Sequence, residues 1–235
     1  MRRFGIFFNN KHSYDSFNLT VADRNIGNPT KIKRKERVPF SNRVYDFSSL
    51  YGEPEYQERT LTYVFNLKSY EKIDLSMKRI EVLNWLMNTG GKVMLKDDYV
   101  PGFYFLAEVE EAPSFNELIY GGPLTVNFTA YPFKISELEE GNDIWDSFNF
   151  TLDYAQQTSF DVMAKKKVII VNPGSSLAYP KIITSSAMKV KKGSMTYSVP
   201  AGSTTSYDFA FSPGVNEIVI TGDGSISFHF HKELI

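Results

Sequence analysis

The residues best suited to acid–base or metal chemistry are three histidines, His12, His229 and His231. The last two stand two apart on a strand-like segment, so they project from one face, and such a pair can begin a metal site. Ile226, Phe228 and Phe230 alternate with them, however. That makes the histidines the outward residues of a core strand, and no third ligand accompanies them. Asp97-Asp98 is a carboxylate pair of the kind used in general acid–base catalysis. It falls between two strand-like segments and reads as turn residues. The clusters Glu108/Glu110/Glu111 and Glu137/Glu139/Glu140 lack metal-loop spacing and read as solvated or interface charge.

Motifs for nucleophilic or nucleotide chemistry are missing. There is no Gly-x-Ser-x-Gly elbow, no His-Glu-x-x-His, no phosphate loop and no dinucleotide fingerprint. Gly222-x-Gly224 lacks the third glycine and the helix that would follow. The chain has no Cys, which removes thiolate catalysis, disulfides and sulfur-ligated zinc. Asn18-Leu19-Thr20, Asn127-Phe128-Thr129 and Asn149-Phe150-Thr151 match the glycosylation pattern but read as mid-strand coincidences. The sequence therefore predicts no enzyme, no catalytic residue, no metal and no cofactor.

Two segments stand out instead. Lys31-Ile32-Lys33-Arg34-Lys35-Glu36-Arg37 is a basic run in strand-like alternation. It reads as an edge strand kept from aggregating by its charges, or as a seam against an acidic neighbour. Val38–Tyr51 follows, with Phe40, Tyr45, Phe47 and Tyr51 in a stretch broken by Pro39 and Asn42. Aromatics in such a loop lid a core or anchor a protein interface. The candidate subunit interface is thus Lys31, Lys33, Arg34, Lys35, Arg37, Phe40, Tyr45, Phe47 and Tyr51 on one side, and Glu108, Glu110 and Glu111 on the other.

The elements that position these residues are mostly strands. Phe17/Leu19/Val21, Leu61/Tyr63/Phe65/Leu67, Phe103/Phe105/Ala107/Val109 and Leu124/Val126/Phe128/Ala130 each alternate with polar or outward residues, as half-buried antiparallel strands do. One helix is expected over about Leu75–Asn88. Its stripe is Ile80, Leu83 and Met87, flanked by Ile73 and Leu86, with Asp74 as N-cap and Gly90-Gly91 as the stop. Near residue 138 the acidic cluster marks a boundary between domains 1–138 and 139–235. Beyond it, Phe148/Phe150/Leu152/Tyr154 reads as a strand and Val168–Val171 as another. Met188–Lys191 and Met195–Val199 form a hairpin about Lys192-Gly193, and Gly222-Asp223-Gly224 supplies a tight turn. The fold class is mainly β, α+β in the first half. A β-sandwich-like first domain carries one packed helix, and a β-sandwich follows.

With 235 residues there is room for two cores, and a hydrophobic share of 42% argues against disorder. The aromatic share of 15%, 19 Phe and 14 Tyr against 2 Trp, favours pleated surfaces. A net charge of −1 leaves no cationic surplus for a nucleic-acid binder. The opening Met1-Arg2-Arg3-Phe4-Gly5-Ile6-Phe7-Phe8 begins like a signal peptide but fails at Asn9-Asn10-Lys11. No stretch approaches the roughly 20 apolar residues of a membrane span. A soluble, unsecreted protein is expected.

Taken in order, these pieces resemble the distal tail (Dit) proteins of long-tailed bacteriophages. Phe7-Phe8-Asn9-Asn10 with Tyr14–Val21 looks like the family's first hairpin, and Val38-Pro39-Phe40-Ser41-Asn42 to Tyr51-Gly52 sits at its protruding loop. Leu61–Leu67, Leu83-Asn84-Trp85-Leu86 and Val126–Phe133 complete the first half. Asn172-Pro173-Gly174, Tyr179-Pro180-Lys181-Ile182, Pro213–Ile218 and Gly222-Asp223-Gly224 look like its galectin-like domain. The resemblance covers nearly the whole chain. It implies a hexameric ring at the distal end of the tail tube, made by the first domain around a channel through which DNA passes without sequence-specific contact. It further implies contacts with the tube protein, the tail-tip protein and receptor-binding or other baseplate components. A location in the virion tail, after synthesis in the bacterial host cytoplasm and without a membrane partner, goes with it. The alternative is a carbohydrate-binding β-sandwich contacting the host cell wall, with Trp145, Tyr154 and Tyr207 as stacking residues.

Overall fold

The structure, a computed structural model, describes residues 4–48, 50, 52–145 and 148–235. Chain contacts divide it into two compact units, Met1–Lys134 with Ile235, and Ile135–Leu234. In the first unit β1 (Ile6–Phe8), β2 (Lys11–His12), α1 (Ser13–Phe17), β3 (Thr20–Ile26), β4 (Lys35–Arg37) and β5 (Val44–Asp46) lead to β6 (Arg59–Lys68). Then come α2 (Lys72–Met87), β7 (Val93–Asp97), β8 (Phe103–Glu108), β9 (Ser114–Phe115) and β10 (Gly121–Ala130). β11 (Lys134–Ser136) spans the break.

The second unit holds β12 (Ser159–Val162), β13 (Lys165–Asn172), β14 (Lys181–Thr184), β15 (Met188–Lys192) and β16 (Met195–Val199). β17 (Gly202–Thr204), β18 (Gly214–Thr221), β19 (Gly224–His229) and β20 (Glu233–Leu234) end it. The fold is mainly β and antiparallel.

In the first unit the main sheet runs β2-β1-β7-β8-β10-β6-β3. Its spine is the pair β6–β10, in register from Gly121↔Lys68 to Ala130↔Arg59. The expected alternation holds there: Leu61, Tyr63, Phe65 and Leu67 face Leu124, Val126, Phe128 and Ala130 in a fully buried core. Edge-to-face rings knit it together, with Phe8–Phe128 centroids 5.0 Å apart and Tyr63–Phe128 centroids 5.8 Å apart.

The amino-terminal segment departs from the expected strand. Asn9 and Asn10, at φ 42° and 60°, turn β1 into β2, as an Asn pair does in a tight hairpin. Ser13–Phe17 is then a helical turn, capped by His12 and closed by Asn18 at φ 52°. An Asn tolerates that left-handed conformation, so the chain reverses and β3 begins only at Thr20. Phe17 and Leu19 are buried all the same.

Helix α2 exists where expected but turned about its axis. Leu75, Val82, Trp85 and Leu86 are buried and Leu83 is half-buried, whereas Ile80 and Met87 of the expected stripe and its flank Ile73 are 53%, 44% and 80% exposed. Trp85 decides the phase, because its indole N–H donates to Phe8 O at 2.7 Å. Asp74 is not the N-cap. Glu71 holds that position without a side-chain cap bond, and Asp74 lies in the first turn, where a carboxylate suits the helix dipole.

The second unit is a sandwich of two four-stranded sheets, β12-β19-β14-β17 and β13-β18-β15-β16. Ile170, Val190, Ile218, Ile220, Phe211 and Phe228 fill the space between them. β15 and β16 form the expected hairpin, with Gly193 at φ 58°. Gly222 and Gly224 have the expected positive φ, 143° and 130°, yet they join strands of different sheets. At a φ of 130° any side chain on Gly224 would be strained, so this corner favours glycine.

The expected strand Phe148–Tyr154 is a turn. Asn149 N–H donates to Asp153 Oδ2 at 2.7 Å, and Thr151 N–H donates to Asn149 Oδ1 at 2.9 Å. Those local bonds outcompete strand pairing and leave Phe150 and Tyr154 exposed. Of the three glycosylation patterns only Asn127 is mid-strand. Asn18 caps α1, and Asn149 lies in this turn.

Candidate assembly surfaces

Between β3 and β6 the chain leaves the main sheet. Gly27 N–H donates to Thr60 O at 3.1 Å, Gln57 N–H to Thr30 O at 2.8 Å and Ile32 N–H to Glu55 O at 2.9 Å, forming a neck at the Arg59 end of β6. Beyond the neck, among the described residues, β4 and β5 pair only with each other: Lys35↔Asp46, Glu36↔Tyr45 and Arg37↔Val44. Every residue of both strands is exposed. Two exposed faces give no core to hold such a ribbon.

Its charges are partly matched within the chain. Lys33 Nζ donates to Asp46 Oδ2 at 3.0 Å, and Arg34 to Glu55 Oε2 at 2.8 Å. The Ser48 hydroxyl and backbone N–H, then Lys33, hold the Asp46 carboxyl well below the usual carboxylate range. The Lys31 ammonium stands 5.8 Å over the Tyr56 ring. Lys35, Arg37 and Arg43 have no ion pair among the described residues.

At the tip, Phe40 is 112% exposed and has φ 58°, which is costly for a large side chain. Tyr45 and Phe47 are also exposed, with ring centroids 6.2 Å apart. Tyr51 lies outside the described residues.

Of the three acids expected opposite, Glu108 is half-buried and accepts from Lys92 Nζ at 3.1 Å. Lys92 also binds Glu58 at 2.8 Å, and these bonds, Glu58 first, raise the ammonium pKa. Glu110 is exposed and accepts from Thr129 Oγ1 at 3.1 Å, and Glu111 is exposed. Among the described residues no ion pair joins them to the basic run. The acids open a connection, residues 109–120, that runs back along β10. Ser114 and Phe115 pair with Thr125 and Leu124, and Leu118 N–H donates to Gly121 O at 2.6 Å.

That connection ends in Leu118, Ile119 and Tyr120, which are 61%, 75% and 64% exposed. With Asn66, Lys68, Lys72, Glu117 and the chain through Pro123 they line a groove of about 930 Å³. The sequence reading missed it, although three consecutive apolar residues before Gly121-Gly122 were a visible signal.

Asp97 and Asp98 are tied into the structure of the first unit. Asp97 accepts from Tyr63 OH at 3.0 Å and lies 3.5 Å from Arg24, whose guanidinium sits 3.8 Å over the Tyr99 ring. Burial, then Asp97, raises the Tyr63 pKa. Asp98 accepts from Gly5 N–H at 3.0 Å and lies 3.1 Å from His12 Nε2. This turn ties β7 to β1.

A solved structure has a similar fold from one terminus to the other. It is the crystal structure of the SPP1 Dit (gp 19.1) protein, described as a paradigm of the hub adsorption apparatus in phages infecting Gram-positive bacteria. The match has a TM-score of 0.71 and covers 100% of both chains. The fold is similar to that of a phage Dit protein. Identity to Dit is 15%, so the likeness is one of backbone. No protein-family model matches the sequence, and no curated protein does.

In the second unit His229 and His231 are outward residues, as expected, with Ile226, Phe228 and Phe230 buried behind them. His229 Nδ1 lies 2.8 Å from Glu139 Oε2, and His231 Nδ1 lies 2.9 Å from Ser136 O. No group of three or more potential metal ligands occurs among the described residues. Lys232, 3% exposed, binds Glu140 at 3.4 Å and also Asp153. Burial pushes the Glu140 carboxyl up against the pull of Lys232. Burial opposes ionisation of Asp153 too, but the Asn149 N–H and Lys232 prevail and hold it low.

Proposed function

We propose that this chain is a structural protein of a phage tail, a ring-forming hub at the distal end of the tail tube. The observation that carries this reading is the end-to-end likeness to SPP1 Dit, a hub protein, over 100% of each chain. In this reading the domain of residues 1–138 builds the ring, a hexamer with a central channel for DNA. The domain of residues 139–235 faces outward and holds receptor-binding or other baseplate components. The tube protein and the tail-tip protein meet the ring along its axis. Synthesis takes place in the host cytoplasm, and the finished protein resides in the virion tail.

The reading needs no catalytic group. A ring subunit needs two different sticky patches, because heterologous contacts alone can close on themselves with more than two copies. The exposed basic ribbon and the acidic, apolar connection supply two such patches in the first unit. Negative-stain electron microscopy of the purified full chain tests the reading. Closed rings with a central hole are expected, and compact single particles at high protein and low salt are the contrary result.

A further inference from the structure

We infer that the β4–β5 ribbon of one copy seats on the 109–120 connection and the groove of the next copy, with Phe40 entering between Leu118, Ile119 and Tyr120. This rests on the ring reading above and names the two surfaces that meet.

Three observations converge on a second copy as the occupant. The first is placement. The neck of the ribbon is pinned at the Arg59 end of β6, and the groove is lined by Asn66 and Lys68 at the other end. β6 has 10 residues, so these ends lie about 30 Å apart at the usual rise per strand residue. Phe40 at the tip of the ribbon is fully exposed, so the knob does not fill the hole of its own chain. Between two copies they make a head-to-tail contact, the heterologous kind that closes a ring.

The second is charge. Residues 31–47 carry six cations (Lys31, Lys33, Arg34, Lys35, Arg37, Arg43) against Glu36 and Asp46, a net of +4. From residue 97 to 133 there is no Lys or Arg at all, and the connection within it carries Glu110, Glu111 and Glu117. Strand alternation sorts the ribbon further: Lys35 and Arg37 project to one side and Glu36 to the other. The groove is two-sided in the same sense, with Glu117 on the connection and Lys68 and Lys72 on the wall from β6 and α2.

The third is the apolar anchor. Phe40 is held out at a left-handed φ and is fully exposed, and the groove is the matching exposed apolar surface. Aromatic anchors in desolvated pockets dominate interfaces of this kind.

Charge reversal in the full chain tests the contact. One variant carries Lys35→Glu with Arg37→Glu, and the other Glu110→Lys with Glu117→Lys. Sedimentation velocity is expected to show each alone associating more weakly than wild type by about tenfold or more. An equimolar mixture is expected to recover assembly, since every contact then pairs opposite charges, and Phe40→Ala is expected to weaken assembly without recovery in either mixture. A wild type that assembles while the reversed variants match it, or a mixture that fails to recover, overturns this contact and leaves the tail reading standing. A wild type that stays monomeric at all concentrations overturns both.

Discussion

The indole N–H of Trp85 donates to the backbone carbonyl of Phe8 across 2.7 Å, and this bond sets which face of α2 meets the sheet. Trp85 is also in ring contact with Phe8 and Phe17, at centroid distances of 6.0 and 4.9 Å. The helix is therefore docked through Leu75, Val82, Trp85 and Leu86, and its second apolar stripe is left in solvent.

The phase of the helix can be measured by mutation. Leu86, fully buried, is expected to cost about 2–5 kcal/mol when changed to Ala, from lost transfer energy and the cavity left behind. Ile80→Ala, at a half-exposed position, is expected to stay within about 0.5 kcal/mol. Denaturant titrations that rank the two changes the other way would place α2 in the phase read from its sequence.

The Glu140–Lys232–Asp153 group gives the second unit a pH signature. Burial raises the Glu140 pKa above its ordinary 4.5, so the folded state binds this proton more tightly than the unfolded chain does. Its contribution is then full below pH 4.5 and is lost as pH rises through the folded value. Glu140→Gln removes that loss. The variant is expected to gain on wild type progressively as pH rises above 4.5 in thermal melts. A difference that stays constant with pH, or shrinks, would contradict a raised Glu140.

Replacing Lys232 by Ala strands two carboxylates, one of them 6% exposed. Removing one partner of a buried pair typically costs about 3–5 kcal/mol. Urea unfolding followed by a probe in the second unit should register that loss. A change under about 0.5 kcal/mol would mean the group is solvated.

Sugar binding separates the tail-hub reading from its rival. Trp145, Tyr154 and Tyr207 are 61%, 51% and 89% exposed, as a stacking residue must be. Yet Trp145 donates its indole N–H to Asp143 at 3.1 Å and packs 5.1 Å from Phe148, which ties it into its own loop. Titration with cell-wall polysaccharide and simple sugars is expected to give no saturable signal. Saturable binding lost on Tyr207→Ala would favour the carbohydrate-binding protein.

How much was legible in the sequence follows from where each determinant lies. The alternation in Leu61–Leu67 and Leu124–Ala130 named the core of the first unit, because period two is a local property of one strand. The positive φ at Gly222 and Gly224 was equally local. Which sheet the following strand joined was not, since that depends on β14 pairing with β19. The phase of α2 was hidden because apolar residues occur on two of its faces, and a contact with Phe8 chose between them. At Phe148–Tyr154 the alternating pattern was real, but the Asn149 and Asp153 turn bonds prevailed. In the ribbon the cations were visible. Their partners Asp46 and Glu55 were not, nor was the groove, which is assembled from segments some fifty residues apart in sequence.

If, as proposed, the chain closes into a ring through its first unit, the mass of the full chain in solution will show it. Sedimentation equilibrium should be run over rising protein concentration at low and high salt, because rim charges weaken as the screening length shortens. One discrete closed oligomer is expected, favoured by high protein and low salt, with the monomer returning on dilution or added salt. A monomer persisting at the highest concentration and lowest salt would contradict it, as would open-ended polymers with no fixed size.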